Sequence, residues 1–133
     1  VPAFVDTNVA VYAFGANAAK KTRARELPAG QSIISTQVVN EFLNVCRVKL
    51  KIDVATRHRL AQELMAGCDV VTVNSNVVEK AMLVEMQNGL NYWDCLIIAA
   101  ALLAGCDTLY SEDMQHGQGF NGRLTVINPF LPI

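Results

Sequence analysis

The sequence predicts an α/β sandwich built on a mainly parallel sheet, and three observations lead there. Short apolar runs rich in Val and Ile alternate with longer segments whose apolar residues return every three or four positions, the pattern of strands joined by crossover helices. The 133 residues contain no internal repeat and no low-complexity linker, so a single domain over residues 1–133 is expected. One late helix is apolar nearly all round and has to be covered on several sides.

Residues 3–6 read as a short buried strand, in which apolar residues end at a polar break and β-branched Val5 suits a pleated surface. Thr7 or Asn8 caps a short helix running to Phe14, and Thr7 has no role beyond that cap. Gly15 and Asn17 end the helix. Residues 18–27 make a second, polar helix carrying Lys20, Lys21, Arg23 and Arg25, and Pro28-Ala29-Gly30 turns the chain. Residues 32–34 form the next strand, with Ser35 or Thr36 capping the third helix. From Gln37 to Lys49 a helix is expected, with Val38, Val39, Phe42, Val45, Cys46 and Leu50 recurring at helical spacing and Glu41 at the margin of the stripe. Asp53 caps a helix over 54–66 that turns Leu60, Leu64 and Met65 inward and closes at Gly67.

A strand over 70–73 and a cap at Asn74 lead into a helix filled by Val77, Val78, Ala81, Met82, Val84 and Met86 and stopped by Asn88-Gly89. The nearly all-apolar helix spans 92–105, and its one charge, Asp94, lies in the first turn, where the helix dipole favours an anion. A strand over 108–110 runs into Ser111-Glu112-Asp113. Residues 114–122, rich in Gly, Gln, Asn and His, are expected to form a mobile loop before a last strand over 124–127.

The hydrophobic fraction of 52% and the mean hydropathy of +0.26 are high, yet no run reaches the roughly 18 to 20 apolar residues of a membrane span. No basic-then-apolar leader marks the chain for export, so a cytoplasmic protein without membrane association is expected. Cys46, Cys68, Cys95 and Cys106 form no CxxC pair and lie among small apolar residues, as buried reduced thiols do. Up to Arg59 the chain is net +5 and beyond it net -6. The basic residues Lys20 to Arg25, with Arg47, Lys49 and Lys51, either hold nucleic-acid phosphates or form solvated helix faces.

Asp6, Glu41, Asp94 and Asp113 each stand beside a predicted core element. In a parallel sheet the functional crevice lies outside the carboxyl ends of the strands. Asp6 ends the first strand, Asp113 follows another by three residues, and the helices bearing Glu41 and Asp94 begin on the same side. Carboxylates gathered there take up protons unless a cation joins them. An all-oxygen set suits Mg²⁺ or Mn²⁺, which activates water and stabilises charge on a phosphodiester. The plainer alternative makes Asp6 and Asp94 helix caps and the other two surface acids.

With these pieces in place, the chain resembles the PIN-domain family, and within it the VapC-like toxins. The resemblance rests on Phe4-Val5-Asp6-Thr7-Asn8, Asn40-Glu41-Phe42, the run Asp94-Cys95-Leu96-Ile97-Ile98-Ala99-Ala100-Ala101, and Leu109-Tyr110-Ser111-Glu112-Asp113, in matching order and spacing over nearly the whole chain. It implies a three-layer α/β/α fold and a Mg²⁺-dependent (or Mn²⁺-dependent) endoribonuclease, usually a homodimer, acting on RNA and silenced by a cognate antitoxin. It also implies that Asp6, Glu41, Asp94 and Asp113 are the catalytic, metal-holding acids and that Asn8 and Ser111 keep acids or waters in place. Glu112 competes with Asp113 for its position, and Ser-x-Asp spacing favours Asp113.

Other expectations stand beside this reading. His116 is taken as an exposed loop histidine rather than a general acid, and Tyr92 and Trp93 as packing beside the apolar helix rather than stacking a base. Apolar residues of the 38–50 and 54–65 helices are a candidate groove for an antitoxin helix or a second copy. A haloacid-dehalogenase-like phosphatase with Asp6 as nucleophile is the competing enzyme, although that chemistry wants a carboxylate where Asn8 stands. A PIN-like binding module without activity is the non-enzymatic competitor. No GxGxxG follows the first strand, which argues against a dinucleotide-binding domain.

Overall fold

The computed structural model describes residues 2–27 and 32–132; the turn expected at 28–30 lies outside the described residues. The elements run β1 (Ala3–Val5), α1 (Thr7–Tyr12), α2 (Ala18–Glu26), β2 (Ser32–Ser35), α3 (Thr36–Val48), α4 (Val54–Ala66), β3 (Asp69–Val71), α5 (Ser75–Asn88), α6 (Tyr92–Leu103), β4 (Thr108–Tyr110), β5 (Gly119–Phe120) and β6 (Leu124–Ile127). The sheet order is β3-β2-β1-β4-β6-β5, parallel throughout except for β5. The register sets Phe4 beside Ile33 on one side and Leu109 on the other.

The chain steps from β1 through β2 to β3, then returns across β1 to β4. Crossovers between parallel strands are right-handed, so reversing the direction of travel puts the later helices on the opposite face. The contacts agree: α1 packs on α2 and α3, α3 on α4, and α5 on α6, while β2 is touched by both α3 and α6. The result is the three-layer α/β/α sandwich. With both faces covered, strands need not alternate, and Ala3, Phe4 and Val5 are all buried. Phe4, Ile34, Leu109 and Val126, fully buried on neighbouring strands, form the spine of the core.

Helix α6 is buried without a break from Cys95 to Leu102, as its all-round apolarity requires. Ala99, Ala100 and Ala101 are small because sheet and α5 approach from different sides. Gly89 closes α5 in the left-handed region at φ 65, which a residue without Cβ enters at no steric cost. Cys46, Cys68, Cys95 and Cys106 are unpaired, and Cys68 is only partly covered. Among the described residues no helix is long and apolar enough to cross a membrane.

Several expectations are corrected. Asp6 itself caps α1, its carboxylate accepting the Thr7 N–H, because β1 runs into the helix with no spare residue. The expected loop at 114–122 contains β5, antiparallel to β6, with Phe120 buried as its anchor. On α5 only Val77, Ala81 and Val84 are buried. These positions share one face, and Val78, Met82 and Met86 point away from it into solvent, as does Met65 on α4.

The packing at α6 is testable by chemical denaturation. Ala101→Leu forces a larger side chain into a closed layer and is expected to cost about 1–3 kcal/mol. Leu103→Ala, at an exposed position at the end of the same helix, should stay within roughly 0.5 kcal/mol of the parent.

Candidate active site

The point where the sheet order reverses lies between β1 and β4, and there Asp6 leaves β1 while Ser111 leaves β4. The Asp6 N–H still donates to the Tyr110 carbonyl at 2.9 Å, so the strand pairing fixes the backbone before the side chain turns into the crevice. Asp6 is 6% exposed. Its Oδ1 accepts the Thr7 N–H at 2.7 Å, and its Oδ2 accepts the Ser111 hydroxyl at 2.8 Å and the Asn8 amide at 3.3 Å. Burial nevertheless pushes its carboxyl up to about 6, with Glu41 and Asp94 adding to the rise against the Ser111 and Thr7 hydrogen bonds.

Asn8 ties two acids together. Its amide nitrogen also donates to Asp113 Oδ2 at 3.1 Å, and its amide oxygen accepts the Glu112 N–H at 3.0 Å. A carboxylate in its place would repel Asp6 and lose both donors, which is why an amide stands there. Ser111 is fully buried beneath and accepts the Met114 N–H at 3.3 Å, anchoring the turn that presents Asp113.

Glu41 arrives from α3. Its Oε1 accepts the Thr7 hydroxyl at 2.6 Å, and its Oε2 accepts the Gln37 amide at 3.3 Å. Asp94 reaches the cleft from the first turn of α6, whose cap is Asn91. Partial burial raises its pKa, with the charges of Asp113 and Glu41 contributing. Asp6, Asn8, Glu41, Asp94 and Asp113 thus line one cleft of about 1000 Å³.

Glu112 lines the same cleft but is already paired. Its carboxylate forms an ion pair with Lys20 and accepts the Tyr12 hydroxyl at 2.9 Å. Partial burial works against ionisation there, but Lys20 and Tyr12 hold the carboxyl below its usual range. Of the two neighbouring acids, Asp113 is the one that shares the Asn8 amide with Asp6 and whose charge acts on Asp94. The Lys20–Glu112 pair is the only ion pair among the described residues, so Asp6, Glu41, Asp94 and Asp113 have no cationic partner there. Nor, among those residues, do any three acidic, His or Cys side chains already enclose an ion position. The acids line an open cleft, a form suited to Mg²⁺, which keeps several waters and takes few protein ligands.

Some roles differ from expectation. Thr7, given only a cap, holds Glu41 from a position 34 residues away, a contact with no local sequence signal. Gln37 was legible: it lies four residues before Glu41 on one helix face. Its Oε1 is the one buried side-chain polar atom without a partner among the described residues. The basic run is divided. Lys20 serves Glu112, while Arg23 and Arg25 donate to the carbonyls of Pro129 and Ala13 at 2.8 Å each. Lys49 instead lines the cleft. His116 is exposed, and its Nδ1 accepts the Asn128 N–H at 2.9 Å. Trp93 does not pack beside α6 as expected; it is 62% exposed and lines the cleft, because residue 93 faces away from the covered side of the first turn.

The fold and site define an α/β/α protein with acids gathered at the switch point of a mainly parallel sheet. Residues 3–118 match the PIN domain, and the chain belongs to that family. Among solved structures it is similar to a toxin-antitoxin complex from Klebsiella pneumoniae, at 21% identity and TM-score 0.72 over 96% of this chain and 98% of that one. VapC20 of Mycobacterium tuberculosis, a sarcin-ricin loop cleaving toxin, is similar at 19% identity and TM-score 0.65 over 84% of this chain and 89% of its own. FitAcB from Neisseria gonorrhoeae matches at 18% identity and TM-score 0.66, over 96% of this chain and 98% of that one. No curated protein matches the sequence.

The raised pKa of Asp6 has a defined sign. The folded protein holds this proton up to about pH 6 whereas the unfolded chain releases it near 3.8. Between those values the native state binds more protons, so stability falls as pH rises through the window. Asp6→Asn removes the charge with little change of shape. An amide there also sets a donor against the Asn8 and Ser111 donors. In urea titrations without added metal, the variant's stability relative to the parent is therefore expected to rise between about pH 4 and pH 7.5 by on the order of 3 kcal/mol at most, starting from a deficit at the acid end.

Proposed function

We propose that this PIN-domain protein is a divalent-metal-dependent endoribonuclease of the VapC type, the toxin of a toxin-antitoxin pair. The observation that carries the reading is the convergence of Asp6, Glu41, Asp94 and Asp113 on one cleft with no ion pair to any of them among the described residues, while adjacent Glu112 receives Lys20. An oxygen-only set with a charge deficit fits Mg²⁺ or Mn²⁺. Asp6 and Asp94, with Glu41 and Asp113, would hold the ion, which supplies an activated water and offsets charge building on the phosphodiester. Asn8 and Ser111 keep Asp6 and Asp113 in place; Thr7 and Gln37 do so for Glu41. Lys49, Asn40 and Asn44 on the same cleft supply contacts for RNA phosphates.

The toxin reading draws on the solved structures named above, and it brings an antitoxin as partner. The apolar part of the cleft wall, Val11, Val45, Leu50 and Val73, offers a seat for an antitoxin segment. The exposed apolar residues Val78, Met82, Leu83 and Met86 of α5 are suited to a second copy. The phosphatase alternative fares worse, because Asn8 stands where that chemistry wants a second carboxylate and its amide is engaged with Asp6 and Asp113.

Purified protein should cut RNA with Mg²⁺ or Mn²⁺, stop in excess EDTA and resume on metal addition. Asp94→Ala should reduce cutting to background with an unchanged circular dichroism spectrum; equal activity in EDTA would refute the proposal. Thr7→Val keeps the shape but removes the hydroxyl on Glu41, and cleavage should slow by about 10- to 100-fold, measured under the same conditions.

A further inference from the structure

Trp93 immediately precedes Asp94 in the first turn of α6, is the only tryptophan of the chain, and lines the cleft with the acids. At 62% exposure it forgoes one of the largest hydrophobic gains open to a side chain. Yet its backbone is fastened on both sides. Its N–H donates to Asn91 Oδ1 at 2.9 Å, and its carbonyl accepts the Gln37 amide at 3.1 Å. That same Gln37 nitrogen donates to Glu41 Oε2, so one amide couples the position of residue 93 to that of an acid. The indole meets Tyr92 edge-on at 6.0 Å and 72°, and Tyr92 packs against the core. The backbone beneath the ring is thus fixed in advance, and the ring, with Tyr92 at its edge, is left open to a ligand.

We propose that Trp93 is the stacking platform for an unpaired nucleobase of the RNA whose phosphodiester lies at the acids. This rests on the ribonuclease reading and requires the base bound there to be unpaired, since a base within a duplex keeps its faces stacked on its neighbours. The lining selects the occupant. Asn40, Asn44 and Lys49 share the cleft with the indole and the acids, a mixture of π-face, amides and one cation that matches base, sugar and phosphate. An apolar helix would leave those amides without partners. Because every base has a π-face, Trp93 contributes affinity and strandedness rather than base identity.

Steady-state cleavage of a single-stranded RNA oligonucleotide with Mg²⁺ tests this. Trp93→Ala, at an exposed position that should leave folding intact, is expected to raise KM by about 5- to 100-fold with a smaller change in kcat. Trp93→Phe should recover much of the loss. In a second arm, the fluorescence of the sole tryptophan is followed with Mg²⁺ and a nucleoside 5′-monophosphate, which has no phosphodiester to cut. Quenching is expected there and not with ribose 5-phosphate, which lacks the base. An unchanged KM in Trp93→Ala overturns the proposal, as does equal quenching by the two ligands. So does an effect confined to sedimentation, which would mark a contact between copies, or to antitoxin affinity. If the parent protein cuts no RNA under any metal condition, the ribonuclease reading fails, and the fluorescence titration still decides whether the indole stacks on a base.

Discussion

A carboxylate taken out of water beside other carboxylates is unstable in proportion to its charge, and Asp6 is held in that position. It is buried at the end of the central strand, and Glu41 and Asp94 act on it with the same sign of charge. Three donors, the Thr7 N–H, the Ser111 hydroxyl and the Asn8 amide, offset part of the cost, and its pKa still rises to about 6. The surrounding structure can be understood as the means of keeping that group fixed with room beside it for positive charge. The backbone hydrogen bond to Tyr110 locks its origin. Ser111 and Asn8 lock its oxygens, and the same two residues govern the turn that carries Asp113.

The arrangement separates acids by the company they keep. Glu112 and Asp113 are adjacent in sequence, and one is given Lys20 and Tyr12 while the other is held by Asn8 toward Asp94. Lys20 also lies over the rings of Tyr12 and Phe130, so the pair fastens α2 to the C-terminal segment. Charge neutralised in this way serves packing. Charge left without a protein cation lies at the cleft, where burial and then neighbouring like charges raise the pKa of Asp6 and Asp94. The same distinction sorts the basic residues, since Arg23 and Arg25 secure carbonyls and Lys49 faces the cleft.

Closure and exposure are divided along a single helix. Ala99 to Ala101 lie where α6 is covered from several sides, and Trp93 lies in its first turn, where the helix emerges at the cleft. The same element therefore supplies both a fully closed part of the core and an open aromatic surface of the site. Coupling through Gln37 to Glu41 means that the lip of the cleft and its acids are positioned together.

The linear chain determined a good deal on its own. Short apolar runs alternating with helical stripes specified the parallel sheet and its layers, because strands buried on both faces read as continuous apolar runs while helices buried on one face keep a three- to four-residue period. The four acids were visible too, each being a charge set against an apolar element, and the amide at Asn8 could be distinguished from a carboxylate by type alone. Gln37, not singled out from the sequence, carried a local signal all the same, its four-residue spacing from Glu41. What the tertiary structure decided were contacts between residues far apart in sequence and the side of an element that meets solvent. Thr7 reaching Glu41, Lys20 choosing Glu112, Phe120 anchoring an antiparallel edge and Trp93 opening onto the cleft all depend on which surfaces the crossovers bring together. Local pattern records that a residue is apolar or charged; only the packed chain assigns it a neighbour.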